Sequence, residues 1–190
     1  MVHQIANSYS NGLCKYGVID KSQIQIYAYG LELILASVLN TISVLIISAI
    51  FFQFASGLFF LFAFIPLRST AGGYHAKSHL SCNLICLATF IGLQILGAII
   101  PTTFASIFCI VAAAIVLITV YLLSPCEAVN KPLTDDRKKR NRKISIAISI
   151  CNLLMSFAAF YSVGAHPWIM SYYMGALASA ISLGATKVWN

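Results

Sequence analysis

Between Arg68 and Cys82 the chain reads RSTAGGYHAKSHLSC, a polar, glycine-broken stretch carrying an arginine, two histidines and a cysteine between runs that are almost wholly apolar. A cysteine attacks as its thiolate, and a histidine within reach can take the thiol proton and later deliver it to a leaving group. Ionisable residues packed beside membrane spans are costly to keep, which makes this stretch the first place to look for chemistry. Gly72 and Gly73 break regularity after the preceding apolar run, and Ser78 or Ser81 suits the N-cap of a following helix. Cys82 would then lie in that helix's first turn, where the helix dipole and a nearby imidazolium favour the thiolate. On one unbroken helix His75 and Cys82 would stand about 10 Å apart along the axis, too far for a direct hydrogen bond. The pair therefore predicts a bend, with His75 turned back towards Cys82 from a hinge that the glycines permit.

Two plainer readings compete. A glycine-rich turn between two spans has to be wet in any case, and His75, His79, Cys82 and Cys86 also read as H-x3-H-x2-C-x3-C, a metal-ligand inventory. That spacing matches no common zinc signature, and no glutamate stands between the histidines as a metalloprotease would need. No metal and no cofactor is expected. Oxyanion stabilisation would fall to backbone N–H groups at the helix start or to Arg68, whose alternative is a positive-inside anchor snorkelling to headgroups. Glu32, Asn83 and Gln94 are candidates for orienting His75, each with an ordinary structural explanation as well.

The elements that position this stretch follow from composition. The chain is 59% hydrophobic and only 9% charged, against roughly 25% charged in soluble domains, so the expectation is an all-α, polytopic integral membrane protein in a single domain, 1–190. Residues 1–22 suit an amphipathic segment at the membrane surface. About six spans follow, over 27–50, 51–67, 83–100, 102–123, 144–163 and 168–186, the second short and interrupted by Gly57. The leader lacks a small-residue cleavage site, and no segment is expected to be removed. The six cysteines lie in or beside apolar spans and read as free thiols.

With both termini cytoplasmic, Lys15, Lys21, Arg68, Lys77, the basic loop 124–143 and Lys187 all fall on one side, and the loops near Phe52, Pro101 and Gly164 hold no lysine or arginine. That sorting places the 68–82 segment at the cytoplasmic face, in a reducing compartment. The run Arg137 to Lys143 serves either topology or attraction of an acidic peptide tail or anionic lipid.

Arg68, Gly72-Gly73, Tyr74 and His75-Ala76, with Cys82 seven residues after the histidine, resemble the signature of the accessory gene regulator protein B (AgrB) family. The tract YGLELIL (Tyr29 to Leu35) and the loop P-x4-NKP (Pro125 to Pro132) before a basic run extend the likeness over most of the chain. The resemblance implies a membrane cysteine endopeptidase that removes the C-terminal tail of a small quorum-sensing propeptide and helps close the peptide into a thiolactone-type ring. It assigns catalysis to His75 and Cys82, and supporting or substrate-binding roles to Arg68, Gly72 and Gly73. The implied partners are a short AgrD-like propeptide and the lipid bilayer, with no nucleic acid and with homo-oligomer formation left open. A non-enzymatic exporter or binding partner of a small peptide is the alternative.

Overall fold

The computed structural model describes residues 2–74, 78–126, 134–162 and 166–189. Among them all regular structure is helical: α1 (Val2–Lys15), α2 (Ile24–Phe51), α3 (Phe54–Ala71), α4 (His79–Ile99), α5 (Thr102–Leu123), α6 (Asp135–Ser162) and α7 (Pro167–Trp189), with a single 3-10 turn leading into α2. Four stretches are long and apolar enough to cross a membrane: Lys21–Phe51, Phe54–Ala71, Leu80–Ile99 and Thr102–Leu123. On α5 the residues Phe104, Ile107, Val111, Ile115 and Ile118 form an exposed stripe at helical spacing, a face suited to lipid.

Helices also occupy the fifth and sixth expected spans, but among the described residues α6 and α7 fall short of that standard. Residues 135–143, expected within a basic loop, are already helical, and further along Ser145, Ser149, Asn152 and Ser156 are buried. In α7 small and polar residues alternate with apolar ones because this helix is interior, packed against α3, α4 and α5.

The chain divides into two compact units, Met1–Ser43 and Val44–Asn190. In the first, α1 is amphipathic, with Ala6 and Ser10 buried and Ile5 and Tyr9 exposed. His3 on α1 bonds Glu32 on α2 through Nδ1, while Asn7 Nδ2 donates to His3 Nε2 at 2.9 Å.

In the second unit α3 and α7 run parallel in close register. Gly175 approaches so nearly that a Cβ there would stand 2.2 Å from the Phe60 carbonyl oxygen. One turn on, the Ser179 hydroxyl donates to the Phe64 carbonyl at 3.1 Å. With little hydrophobic drive between helices in lipid, small residues that let backbones approach are how such a pair is held. Ala63, Leu67 and Ala71 of α3, Val116 and Val120 of α5, and Ala176, Ala180 and Leu183 of α7 complete the packing at that end. Gly57 does not interrupt α3. It is helical, and its missing side chain admits Ser48, whose Cβ would lie 2.6 Å from one built on Gly57.

Candidate active site

The break expected at the glycines is present. α3 stops at Ala71 with the Gly72 N–H donating to the Arg68 carbonyl at 3.1 Å, and Gly72 turns the chain with φ 85° and ψ −163°, a region essentially confined to glycine. The strap that follows is held on both sides. The Cys126 N–H donates to the Ala71 carbonyl at 2.9 Å, and the Tyr74 N–H donates to the Ser182 carbonyl at 2.9 Å. Neighbours take the space that side chains on the glycines would need. A Cβ on Gly72 would meet the Cys126 carbonyl oxygen at 2.3 Å, and one on Gly73 would meet Ser182 Oγ at 2.7 Å and Arg68 Nη1 at 2.8 Å.

Arg68 ties these parts together. Its Nη1 donates to Ser182 Oγ, its Nη2 donates to the Tyr74 carbonyl at 2.6 Å, and its guanidinium lies 5.6 Å from the centroid of the Phe64 ring. The half-buried side chain is thus directed inward, and each hydrogen bond to such a charge is worth about 1.5–3 kcal/mol. The snorkelling anchor of the sequence reading is not its geometry.

Ser78 caps α4, its Oγ accepting from the Ser81 N–H at 3.1 Å. Cys82 is the fourth residue of the helix and half-buried, its N–H donating to the Ser78 carbonyl at 3.0 Å. Those two bonds use the N–H groups of Ser81 and Cys82, which leaves those of His79 and Leu80, ahead of the first intrahelical bond, as the backbone donors at this helix start. His75 lies outside the described residues, as does the side chain of His79, so the expected turn of His75 towards Cys82 falls there too. Among the described residues no group of three or more His, Cys, Asp or Glu side chains is placed to hold a metal ion.

The three candidate orienting residues go separate ways. Glu32 bonds His3. Gln94 Oε1 accepts from the Ser171 hydroxyl at 2.9 Å. Gln94 also lines a cavity of about 320 Å³, together with Gln53, Ser106 and His166; these residues belong to the end of the bundle remote from Arg68, so that cavity is not built around the expected site. Asn83, next to Cys82, has a buried Oδ1 with no hydrogen-bond partner among the described residues.

Sequence reasoning missed Ser182 and Cys126. The only available hint of Cys126 was its place inside the P-x4-NKP loop, and Ser182 had none beyond the small-residue spacing Ser171, Gly175, Ser179. Burial pushes the Cys126 thiol up, and the charge of Lys187 partly offsets the rise.

The family model for accessory gene regulator B matches residues 5–183. The chain is 29% identical over 141 residues to accessory gene regulator protein B of Staphylococcus haemolyticus, covering 74% of each protein. It is 29% identical over 171 residues to putative AgrB-like protein 2 of Clostridium perfringens, covering 82% of this chain and 78% of that one. Identity to accessory gene regulator protein B of Staphylococcus lugdunensis is 26% over 166 residues, covering 87% and 84%. No solved structure matches.

Proposed function

The chain belongs to the accessory gene regulator B family, and we propose that it is a membrane cysteine endopeptidase which cleaves the C-terminal tail from a short quorum-sensing propeptide and closes the remainder into a thiolactone-type ring. His75 takes the proton of the Cys82 thiol, and the sulfur attacks the scissile carbonyl carbon. The tetrahedral oxyanion is met by N–H groups at the start of α4, a contribution of about 3 kcal/mol per donor in comparable sites. As the C–N bond breaks, the imidazolium gives its proton to the departing amine, leaving a thioester between Cys82 and the peptide. A cysteine thiol within the bound peptide then displaces Cys82, losing its own proton as the Cys82 thiol is restored. One thioester is exchanged for another, so cyclisation needs no further energy source.

The observation that carries this reading is the placement of Cys82 in the first turn of a Ser78-capped helix, seven positions after His75 in the sequence, with Ala71 and Tyr74 ahead of His75 bonded to Cys126 and Ser182. In the same reading the chain spans the membrane six times with both termini cytoplasmic. The strap joins α3 to α4 at the end where Lys187 and the start of α6 also lie, the side the lysine and arginine distribution assigns to the cytoplasm.

The test is reconstitution in liposomes with the propeptide from the adjoining reading frame, followed by mass spectrometry of the released tail. The wild-type protein should release it and Cys82→Ala should release none. Cleavage that survives Cys82→Ala ends the thiol mechanism, and cleavage abolished by a strong chelator favours a metal. A wild-type protein that binds the peptide without cutting it leaves the non-enzymatic alternative.

A further inference from the structure

Ser182 lies outside the residues that the proposed chemistry uses, yet two of its atoms meet the strap. Its hydroxyl accepts from Arg68 Nη1 while its carbonyl accepts from the Tyr74 N–H at 2.9 Å. The second prong of the Arg68 fork reaches the Tyr74 carbonyl at 2.6 Å. Both polar groups of the Tyr74 backbone are therefore fixed by one small unit, Arg68 with Ser182, one residue before His75. The unit continues the α3–α7 register: Phe60 against Gly175, Phe64 against Ser179, Arg68 against Ser182. Gly73 completes it, since any Cβ would intrude on Ser182 Oγ and Arg68 Nη1.

We propose that Ser182 is a positioning residue of the peptide-cleaving site, acting through Arg68 and Tyr74 to fix where the chain delivers His75 relative to the start of α4. This rests on the endopeptidase reading for its catalytic consequence, but the clamp itself is testable without it. Two neutral oxygens hold the guanidinium, so their bonds do not cancel its charge, and the planar fork addresses both at once, which a single-point ammonium would not. Losing the hydroxyl releases one prong of the fork, so the guanidinium that holds the Tyr74 carbonyl is no longer fixed in place, and Tyr74 keeps only its N–H bond to the Ser182 carbonyl as a firm anchor. Displacements near 1 Å at reacting groups cost roughly 100-fold in rate.

The experiment compares Ser182→Ala with Ser179→Ala, which removes a hydroxyl contact one turn away on the same α3–α7 interface without touching the strap. In liposomes with the propeptide, Ser182→Ala should lower kcat by about 100-fold with KM within about threefold, and Ser182→Thr, which keeps the hydroxyl, should recover most of the loss. Ser179→Ala should cleave as the wild type does. Separately, amide hydrogen exchange read on peptides covering 69–82 should quicken in Ser182→Ala and not in Ser179→Ala. Equal effects of the two substitutions on both readouts, or unchanged exchange across the strap in Ser182→Ala, overturn the proposal. If the wild type exchanges as expected but cuts no peptide, the endopeptidase reading falls and the clamp stands as structure alone, ending the positioning role.

Discussion

Gly72→Ala is the sharpest perturbation of the strap, because the cost can be assembled from the geometry. At φ 85° and ψ −163° the backbone sits in a region essentially reserved for glycine, and forcing an L-residue there costs on the order of 1–3 kcal/mol. The added methyl would also lie 2.3 Å from the Cys126 carbonyl oxygen. That oxygen belongs to backbone, which cannot swing aside as a side-chain tip would. Relief requires moving residue 126 away from Ala71, which sacrifices the 2.9 Å bond between them, worth about 0.5–1.5 kcal/mol net. Together the substitution should destabilise the protein by about 2–4 kcal/mol, or roughly 5–15 °C in Tm for a chain of this size. Thermal unfolding in detergent, followed by circular dichroism, reads this directly. Gly184→Ala is the control: nothing stands within 4 Å of its Cβ, and in a helix interior alanine is favoured over glycine by about 1 kcal/mol. A Gly72→Ala protein as stable as Gly184→Ala would refute the idea that the strap is pressed against residue 126.

Two further outcomes follow from neighbouring contacts. Since burial raises the Cys126 pKa and Lys187 lowers it, Lys187→Met should raise it further, leave less thiolate at pH 8 and slow alkylation of Cys126; a faster reaction, followed by mass spectrometry of the labelled peptide, would reverse the assigned sign. Gly57→Leu should cost about 1–3 kcal/mol by overpacking against Ser48, which the same unfolding assay measures.

The local features were legible because their causes are local. Long apolar runs show the helices, paired glycines show the break after α3, and Ser78 marks the start of α4 three residues before the backbone N–H it caps. What the sequence did not disclose depends on partners far along the chain. Ser182 is separated from Arg68 by 114 positions, and no pattern of residue types ties the two together. The role of α7 was hidden for a related reason: its sequence reads as one more span, whereas its glycines, alanines and serines are what lets an interior helix approach α3 to backbone contact. Gly57 was misleading in the same way, since a glycine in an apolar run suggests interruption when the cause is a close neighbour. Glu32 looked available to a catalytic histidine because nothing in the sequence couples it to His3.

The paired glycines invite the picture of a flexible hinge that brings histidine and cysteine together, and the geometry argues against flexibility. Conformational freedom matters in the unfolded chain, where Gly72 and Gly73 reach conformations that other residues do not. In the folded protein the volume each would give to a side chain is already taken, by the Cys126 carbonyl in one case and by Ser182 with Arg68 in the other. Hydrogen bonds at Ala71 and Tyr74 close the strap on both flanks. A catalytic histidine delivered by a loose hinge would pay its ordering entropy in every turnover, at about 1–2 kcal/mol per backbone residue fixed. A strap locked during folding pays it once. In the reaction we propose, where an acyl-thioester waits for a thiol of the same peptide, such prior ordering would favour the intramolecular attack, and the residues packed around the glycines would then matter to the reaction as much as the glycines themselves.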